Sequence, residues 1–240
     1  MTDDREYGYE QYSDVAAAYK ALRDRRAAYI QAVNQLVSRH LQSRRRLLDI
    51  GAGDGVRISL ILEDSLVEQA FFLEPCKEMA SRIRCPRGCA VVTVPIQEFE
   101  IPQGCQVDAV TMLWNVFGHI PGGDRLMVAR KVLNFLAPEG VLILDVNNRH
   151  NRAAYGSLRV AGRRLIDWLL PDTRRGDSVF TWRHGETKVN GKGHLFTPRE
   201  VLDLFQSVGF RLVSMLTVDY ETGYVSDSRH DGQLFAVFAV

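Results

Sequence analysis

Short apolar runs alternate with segments of helical periodicity between residues 47 and 146. The runs LLDI, QAFFLE, AVVTV, VDAVTML and VLILDV have the length and composition of buried β-strands. The stretches between them, such as VRISLILEDS, PCKEMASRIR and DRLMVARKVLNFL, place apolar residues at helical spacing. Strands that alternate with helices form parallel sheets covered by helices on both faces. The alternation therefore predicts an α/β fold with a doubly wound, mostly parallel sheet.

Both ends of the chain extend this plan. Residues 9–41 place apolar residues at helical spacing without a proline or glycine, which predicts one or two helices in an N-terminal lead-in, residues 1–45. TPREVLDLFQSVGF predicts a late helix with Thr197 as its N-cap, Pro198 in its first position and Gly209 just past its end. RLVSMLTVDY and GQLFAVFAV then follow in direct succession, which predicts an antiparallel pair. The total is seven strands, of which the last is antiparallel.

Residues 149–192 interrupt the alternation before that late helix. The segment has no clear periodicity, and it holds ten Lys/Arg against four Asp/Glu, a net charge of +6. Aromatic residues and histidine are interspersed among the arginines. We interpret the segment as a cap or lid inserted into one domain that spans residues 1–240.

The composition excludes several classes of protein. A formal net charge of +1 argues against a general polyanion binder, and the longest apolar run, residues 234–240, is too short to cross a bilayer. Four cysteines are too few for a disulfide framework. Cys85 and Cys89 form a lone CxxxC without a second pair at zinc spacing, so no metal site is predicted. We expect a soluble, cytoplasmic protein without a membrane partner.

The stretch LLDIGAGDG, residues 47–55, places three glycines directly after a strand and before a helix. Such a turn lets backbone N–H groups approach a ligand closely, usually a nucleotide or a related molecule. A dinucleotide motif G-x-G-x-x-G would need a third glycine where Val56 stands, and no Lys-Ser or Lys-Thr pair of a phosphate-binding loop follows. Dinucleotides and a phosphate-binding loop are therefore disfavoured.

The pattern D-x-G-x-G-x-G resembles the first motif of class I S-adenosylmethionine (SAM)-dependent methyltransferases. Glu74, in FFLEP at the end of the next strand, matches the acidic residue that binds both ribose hydroxyls in that family, a task that suits a carboxylate. VDAVTMLWNVFGHI, VLNFLAPEGVLILDV and HLFTPREVLDLFQSVGF match later parts of the family pattern. The resemblance covers residues 46–146 and 194–240, and it implies SAM as the cofactor.

The resemblance also implies a set of cofactor-binding residues. Asp49 would support the glycine loop or receive the methionine ammonium, and Leu113 would lie under the cofactor through its carbonyl. Many relatives bind the adenine with an aspartate after the third strand, where this chain has Pro95, so the backbone of Ile96 and the side chain of Gln97 are expected to replace it. The full prediction comprises Tyr12, Tyr19, Asp49, Gly51, Ala52, Gly53, Gly55, Glu74, Pro75, Ile96, Gln97, Leu113 and Trp114.

The N-terminal tyrosines at positions 7, 9, 12 and 19 resemble the lead-in that small-molecule methyltransferases fold over the sulfonium of SAM, a cation that suits aromatic faces. A tail that docks its aromatic rings on the core is the alternative. His119, in WNVFGHIPGG, is the candidate general base, although a histidine at this place can instead hold the loop. The residues expected to meet the acceptor are Asn115, His119, Tyr155, Trp182 and His184.

These observations favour a SAM-dependent methyltransferase that acts on an O or N atom of a small molecule. The basic, aromatic cap suits an acidic, phosphorylated or glycosylated acceptor, but it would also suit RNA or be a solvated surface. An RNA or protein methyltransferase of the same fold is the alternative, although no appended nucleic-acid module is visible and nucleic acid is disfavoured as a partner. A SAM-binding protein without catalytic activity is a third interpretation.

Overall fold

A computed structural model describes residues 19–85, 88–102, 104–184 and 187–240, and of residues 182–184 and 187–190 it describes the backbone alone. Tyr12 and the tyrosines at positions 7 and 9 lie outside the described residues. Their predicted place over the cofactor therefore stays a prediction.

An eight-stranded sheet forms the centre of the molecule, in the order β3-β2-β1-β4-β5-β10-β8-β9. Its strands are β1 (Arg46–Ile50), β2 (Gln69–Leu73), β3 (Cys89–Val92), β4 (Val107–Met112), β5 (Leu136–Val146), β8 (Arg211–Val218), β9 (Val225–Ser226) and β10 (Gln233–Ala239). The first five pair in parallel, and β10 lies antiparallel between β5 and β8. The predicted α/β fold with an antiparallel last strand is confirmed, and β9 is a two-residue addition at the edge that the sequence did not indicate.

Helices cover both faces of this sheet. They are α1 (Tyr19–Arg25), α2 (Ala27–Leu41), α3 (Val56–Glu63), α4 (Lys77–Ala80), α5 (Val116–His119), α6 (Arg125–Phe135), α7 (Arg152–Tyr155), α8 (Ser157–Leu169) and α9 (Pro198–Ser207). The prediction of a longer helix over PCKEMASRIR was wrong. After α4 the chain turns by i→i+3 bonds, from Arg82 N to Met79 O and from Ile83 N to Ala80 O, and the helix does not continue.

The late helix α9 begins as predicted. Thr197 Oγ1 accepts a hydrogen bond from Glu200 N at 3.1 Å, and Glu200 Oε2 accepts one from Thr197 N at 3.3 Å. Pro198 occupies the first turn, where its missing N–H costs nothing. Past the helix, Gly209 has a φ of +113°, a conformation that favours glycine.

The two faces of the sheet bury separate sets of side chains because alternate strand residues point in opposite directions. Leu47, Phe72 and Ile143 pack against α2 and α3. Leu48 and Leu144 pack with α6 and α9 on the other face. The strands are therefore buried on both sides, as continuous apolar runs predict.

Most of the described residues between 149 and 192 belong to helices, a turn and a hairpin, although the sequence shows no clear periodicity there. After α7 and α8 come a 3₁₀ turn (Thr173–Gly176) and a separate antiparallel hairpin of β6 (Asp177–His184) and β7 (Thr187–His194). The hairpin joins the body where His194 Nδ1 lies 2.7 Å from Asp177 Oδ1 and His194 Nε2 lies 2.8 Å from Glu200 Oε1. The strands of the hairpin are rich in polar residues, which is why the sequence showed no alternation there.

Candidate active site

A cavity of about 580 Å³ lies at the carboxyl ends of β1, β2 and β4. Three surfaces line it: the glycine loop with the end of β2, the loop after β3, and the β4–α5 loop facing α1 and β6. Ligands of open α/β sheets bind at this edge. Of the residues predicted from the sequence, the cavity is lined by Tyr19, Gly51, Gly53, Glu74, Pro75, Ile96, Gln97, Leu113, Trp114, Asn115, His119 and Tyr155.

The glycine loop between β1 and α3 has a backbone that only glycine adopts without strain. Gly51, Gly53 and Gly55 have φ values of +75°, +61° and +75°. A Cβ on Gly51 would lie 2.4 Å from Val116 Cγ2, and one on Gly53 would lie 2.9 Å from Tyr19 Oη. The glycines therefore serve both the turn and the close approach of neighbouring elements, and Gly51 and Gly53 line the cavity.

Glu74 holds two backbone segments that border the cavity. Its Oε2 accepts a hydrogen bond from Gly53 N at 2.8 Å, and its Oε1 accepts one from Cys76 N at 2.9 Å. Burial raises the pKa of this carboxyl to about 7, although the two backbone hydrogen bonds oppose the rise. Each carboxylate oxygen has a second lone pair, so the group keeps acceptor capacity for a ligand.

Asp49 lies behind the loop. It accepts a hydrogen bond from Thr111 Oγ1 at 2.6 Å, and burial raises its pKa to about 7. Asp49 and Ala52 line a neighbouring space of about 20 Å³, close to the size of one water molecule, rather than the main cavity. Gly55 faces Ile83 and lines neither space.

The β4–α5 loop contains two consecutive residues in the left-handed region, Trp114 with a φ of +63° and Asn115 with a φ of +64°. This conformation costs energy for residues other than glycine, and neighbouring groups must hold it. Trp114 N donates to Asp145 Oδ1 at 2.7 Å and Asn115 N donates to Asp145 O at 2.9 Å. Asn115 Oδ1 in turn accepts from Asn147 N at 2.9 Å, which fixes its side chain toward β5.

Asp145 is the centre of a buried network that the sequence analysis missed. Its Oδ2 accepts a hydrogen bond from Tyr29 Oη at 2.5 Å, and Arg57 Nη2 lies 3.8 Å from its Oδ1. Burial and the adjacent carboxylate raise the pKa of Tyr29 well above its ordinary value. The network connects α2 and α3 to the loop that carries Trp114.

Aromatic rings form one wall of the site. The rings of Tyr19 and Trp114 lie 5.3 Å apart, and Trp114 Nε1 donates to Tyr220 Oη at 2.9 Å. The guanidinium of Arg26 lies 4.3 Å from the centre of the Tyr220 ring. Burial raises the pKa of Tyr19 above its ordinary value, so its hydroxyl is protonated at neutral pH. Tyr220 also lines the cavity.

The loop after β3 contributes Pro95, Ile96 and Gln97 to the cavity. Gln97 Nε2 donates to Asp124 Oδ2 at 3.2 Å, and Gln97 O accepts from Lys131 Nζ at 2.9 Å. The side chain expected to bind adenine is therefore oriented by Asp124 in this structure.

His119 ends α5, lines the cavity and contacts the hairpin. Its Nδ1 lies 3.0 Å from Lys192 O, and its ring meets Phe180 edge to face at 5.7 Å. A carbonyl oxygen only accepts, so Nδ1 carries the proton and Nε2 of the neutral ring carries the lone pair. Burial lowers the pKa of His119, which favours this neutral form.

The remaining predicted acceptor residues have different outcomes. Tyr155 lines the cavity, and the Arg163 guanidinium lies 4.3 Å from the centre of its ring. Trp182 and His184 belong to the last three residues of β6, of which the backbone alone is described. Phe180 and Tyr220 line the cavity but were missed, because Tyr220 comes from a turn far along the chain and the strand that carries Phe180 was not recognised.

No group of three His, Cys, Asp or Glu side chains in the described part of the chain could hold a metal ion.

None of the helices within the described ranges is long and apolar enough to cross a membrane.

Comparison with known proteins finds methyltransferases both by sequence and by fold. A sequence model of the family described as "Methyltransferase domain" matches residues 21–215. No curated protein sequence matches the chain. Similar solved structures include DhpI in complex with SAM and HEP, which is 16% identical with a TM-score of 0.69 over 97% of this chain and 98% of that chain.

Two further structures share the fold. A SAM-dependent methyltransferase of Thermotoga maritima, described as a possible histamine N-methyltransferase, is 16% identical with a TM-score of 0.66 over 97% of this chain and 98% of its own. SAM-bound CalS10 of Micromonospora echinaspora, an amino pentose methyltransferase, is 18% identical with a TM-score of 0.63 over 92% of this chain and 96% of its own. Because the family model covers most of the chain, the protein belongs to the methyltransferase domain family and is a class I SAM-dependent methyltransferase.

Proposed function

We propose that this enzyme transfers a methyl group from SAM to an O or N atom of a small-molecule acceptor. The observation that carries the proposal is that one cavity is lined both by Gly53 and Glu74 and by His119, Tyr155 and Phe180. Its volume of about 580 Å³ is in the range of roughly 300–1,000 Å³ for small-molecule sites. The names of the solved neighbours, an amino pentose methyltransferase and a possible histamine N-methyltransferase, agree with an acceptor of this size.

The residues of the cavity fit SAM. Gly53 lines the cavity with backbone alone, and Glu74 offers a buried carboxylate beside it. Glu74 would hold the ribose hydroxyls, Ile96 would lie against the adenine, and the glycine loop would lie against the amino-acid portion. SAM supplies a methyl group on a positively charged sulfur when it is bound.

The chain then has three tasks. Tyr19, Trp114 and Tyr220 provide aromatic faces and a hydroxyl, which suit a cation. The hairpin and α5 exclude water around the acceptor and hold it in line for displacement. His119 Nε2 accepts a proton from the acceptor where the acceptor is a hydroxyl or a protonated amine.

Saturating SAM or its demethylated product is expected to stabilise the protein. At a ligand concentration about 100 times the Kd, mass action raises the free energy of unfolding by about 2.7 kcal/mol. Thermal denaturation with and without ligand measures this change, and NAD at the same concentration is the control that should leave the Tm unchanged. An unchanged Tm with both compounds at millimolar concentration would contradict the proposed site.

Cofactor affinity is expected to rise with pH because Glu74 binds hydroxyls best when it is ionised. Its pKa is raised to about 7, so the ionised fraction is lost as the pH falls through that value. The affinity for the demethylated cofactor should increase about tenfold between pH 6 and pH 8. Isothermal titration calorimetry measures it, and Glu74→Gln should weaken binding and remove the Glu74 contribution to the pH dependence. An unchanged pH dependence in Glu74→Gln would contradict this assignment.

His119→Asn is expected to lower kcat about a hundredfold and to leave the Kd of SAM nearly unchanged, because the asparagine amide can still donate to Lys192 O but cannot accept the proton. Since burial lowers the pKa of His119, the activity of the unsubstituted enzyme should fall only as the pH drops below the ordinary histidine range. A steady-state pH profile with an identified acceptor measures both effects. Equal kcat in the two proteins would assign His119 to holding the loop.

The acceptor class is tested by transfer of labelled methyl from SAM to a small-molecule metabolite extract, to total RNA and to a protein extract. The proposal is supported if label appears in the small-molecule fraction and if substitution of Phe180 reduces it. Label confined to RNA or protein would overturn it, and SAM binding without transfer to any fraction would indicate a protein without catalytic activity.

A further inference from the structure

Helix α8 turns two of its charged residues, Arg163 and Asp167, toward the protein and its large apolar residues toward solvent. On the inner side, Asp167 Oδ2 lies 3.0 Å from Arg149 Nε and 2.9 Å from His150 Nε2. Arg163 Nη1, also on this side, donates to Arg149 O at 3.0 Å. Val160 is the one buried apolar residue of the helix. This arrangement is the reverse of an ordinary surface helix.

The outer side of α8 is entirely apolar. At 100° per residue, an arc of about 160° contains no charged side chain. Along this arc lie Trp168, Ala161, Leu165, Leu158, Leu169, Gly162 and Ile166. Leu158 is 92% exposed and Trp168 is 71% exposed, and the other large residues of the arc are exposed as well. Among the described residues, no other helix exposes so many large apolar side chains.

Basic residues flank this apolar arc. Around the circumference of the helix, Arg159 lies beside Ile166 at one edge of the arc, and Arg164 lies beyond Trp168 at the other edge. Both arginines are exposed. Neither forms an ion pair with a residue that the structure describes. Asp167 is the only acidic residue of α8 and it faces inward.

We propose that α8 binds the surface of an anionic lipid bilayer. A helix with a strongly apolar face and basic edges lies in the plane of such an interface, where its arginines meet lipid phosphates. Trp168, at the edge of the arc next to Arg164, takes the depth that tryptophan prefers near the headgroups. A second copy of the chain fits less well, because packing two such faces together would bring arginine edges close to each other with no carboxylate between them.

This inference departs from the sequence-based expectation of no membrane partner. It concerns attachment by one helix that lies on the surface and does not cross the bilayer. It does not depend on the proposed acceptor, so its test and that of the methyl transfer can fail separately.

Flotation of the full chain with phosphatidylcholine vesicles that contain phosphatidylglycerol tests the proposal. Binding should be stronger than to phosphatidylcholine alone and should weaken as salt is raised. Leu158→Gln and Leu165→Gln should each reduce the partition coefficient about tenfold. Arg159→Gln and Arg164→Gln should each reduce it about fivefold on the anionic vesicles alone. Leu60→Gln is the matched control, because Leu60 is an exposed leucine on α3, and it should leave binding unchanged.

Tryptophan fluorescence provides a second measurement. Contact of Trp168 with lipid should shift the emission of the protein to shorter wavelength, and Trp168→Phe should remove most of that shift while vesicle binding remains measurable.

Three results would overturn the proposal. The first is that the protein does not bind anionic vesicles although it still melts cooperatively. The second is that it binds them but the leucine variants do not reduce the binding. The third is a dimer by light scattering that Leu165→Gln dissociates, which would assign the apolar face of α8 to a second copy of the chain.

Discussion

Gly53→Val is expected to raise the Kd of SAM more than a thousandfold while the protein stays folded. The φ of Gly53 is +61°, which a β-branched residue adopts only with strain. The new Cβ would lie 2.9 Å from Tyr19 Oη, so the aromatic wall must shift, and the two methyl groups would occupy cavity space. Isothermal titration calorimetry with SAM and its demethylated product measures the loss.

Gly104→Val is the matched control for this substitution. Gly104 has a φ of +78°, and a Cβ there would have no neighbour within 4 Å among the residues that the structure describes. The control therefore imposes a similar backbone strain without a clash and away from the cavity. We expect a lower Tm and unchanged SAM affinity for Gly104→Val. A Kd for Gly53→Val within tenfold of the unsubstituted protein would show that the cofactor does not lie against the glycine loop.

The glycine loop and Glu74 could be found from the sequence because their signals are local. Glycines directly after a strand mark a tight turn, and an acidic residue at the end of the next strand lies at the same edge of a parallel sheet. The structure places Gly53 N 2.8 Å from Glu74 Oε2, which the 21-residue separation alone does not reveal. The mostly parallel sheet with an antiparallel last strand also followed from the sequence, because the buried strands are continuous apolar runs.

Other parts of the site had no such signal. Tyr29 and Asp145 are 116 residues apart, and each alone resembles an ordinary buried residue of a helix or a strand. Phe180 belongs to a hairpin outside the main sheet, where core packing imposes no alternation of apolar and polar residues. The apolar residues of α8 do recur at helical spacing, but three arginines among them and Gly162 within its outer side obscured the pattern. Sequence reasoning assumes that apolar faces turn inward, and at α8 that assumption fails.

Asp145→Ala is expected to lower the free energy of unfolding by about 3–5 kcal/mol, because it removes one partner from a buried, charged network. Tyr29 Oη and Trp114 N would both lose their acceptor, and Arg57, whose side chain is 11% exposed, would lose its nearest carboxylate. Chemical denaturation at pH 7 measures the change. Asp203→Ala is the control, because Asp203 forms an exposed i,i+4 pair with Arg199, and pairs of that kind contribute about 0.3–0.5 kcal/mol.

Asp145→Ala should also affect cofactor binding, because Asp145 holds the strained backbone of Trp114. Asp145→Asn tests the effect on cofactor binding with a smaller change of structure. Its amide oxygen can accept a hydrogen bond from Trp114 N. The amide group is neutral, however, and it cannot both accept the hydrogen bond from Tyr29 and pair with the charge of Arg57. We expect a smaller loss of stability than in Asp145→Ala together with a measurable loss of SAM affinity. Tyr29→Phe, which removes one hydrogen bond to Asp145 but leaves the bond from Trp114 N to Asp145 Oδ1 in place, should reduce stability more than affinity. If Asp145→Asn keeps full SAM affinity despite a lower Tm, then the network stabilises the fold without positioning Trp114 for the cofactor.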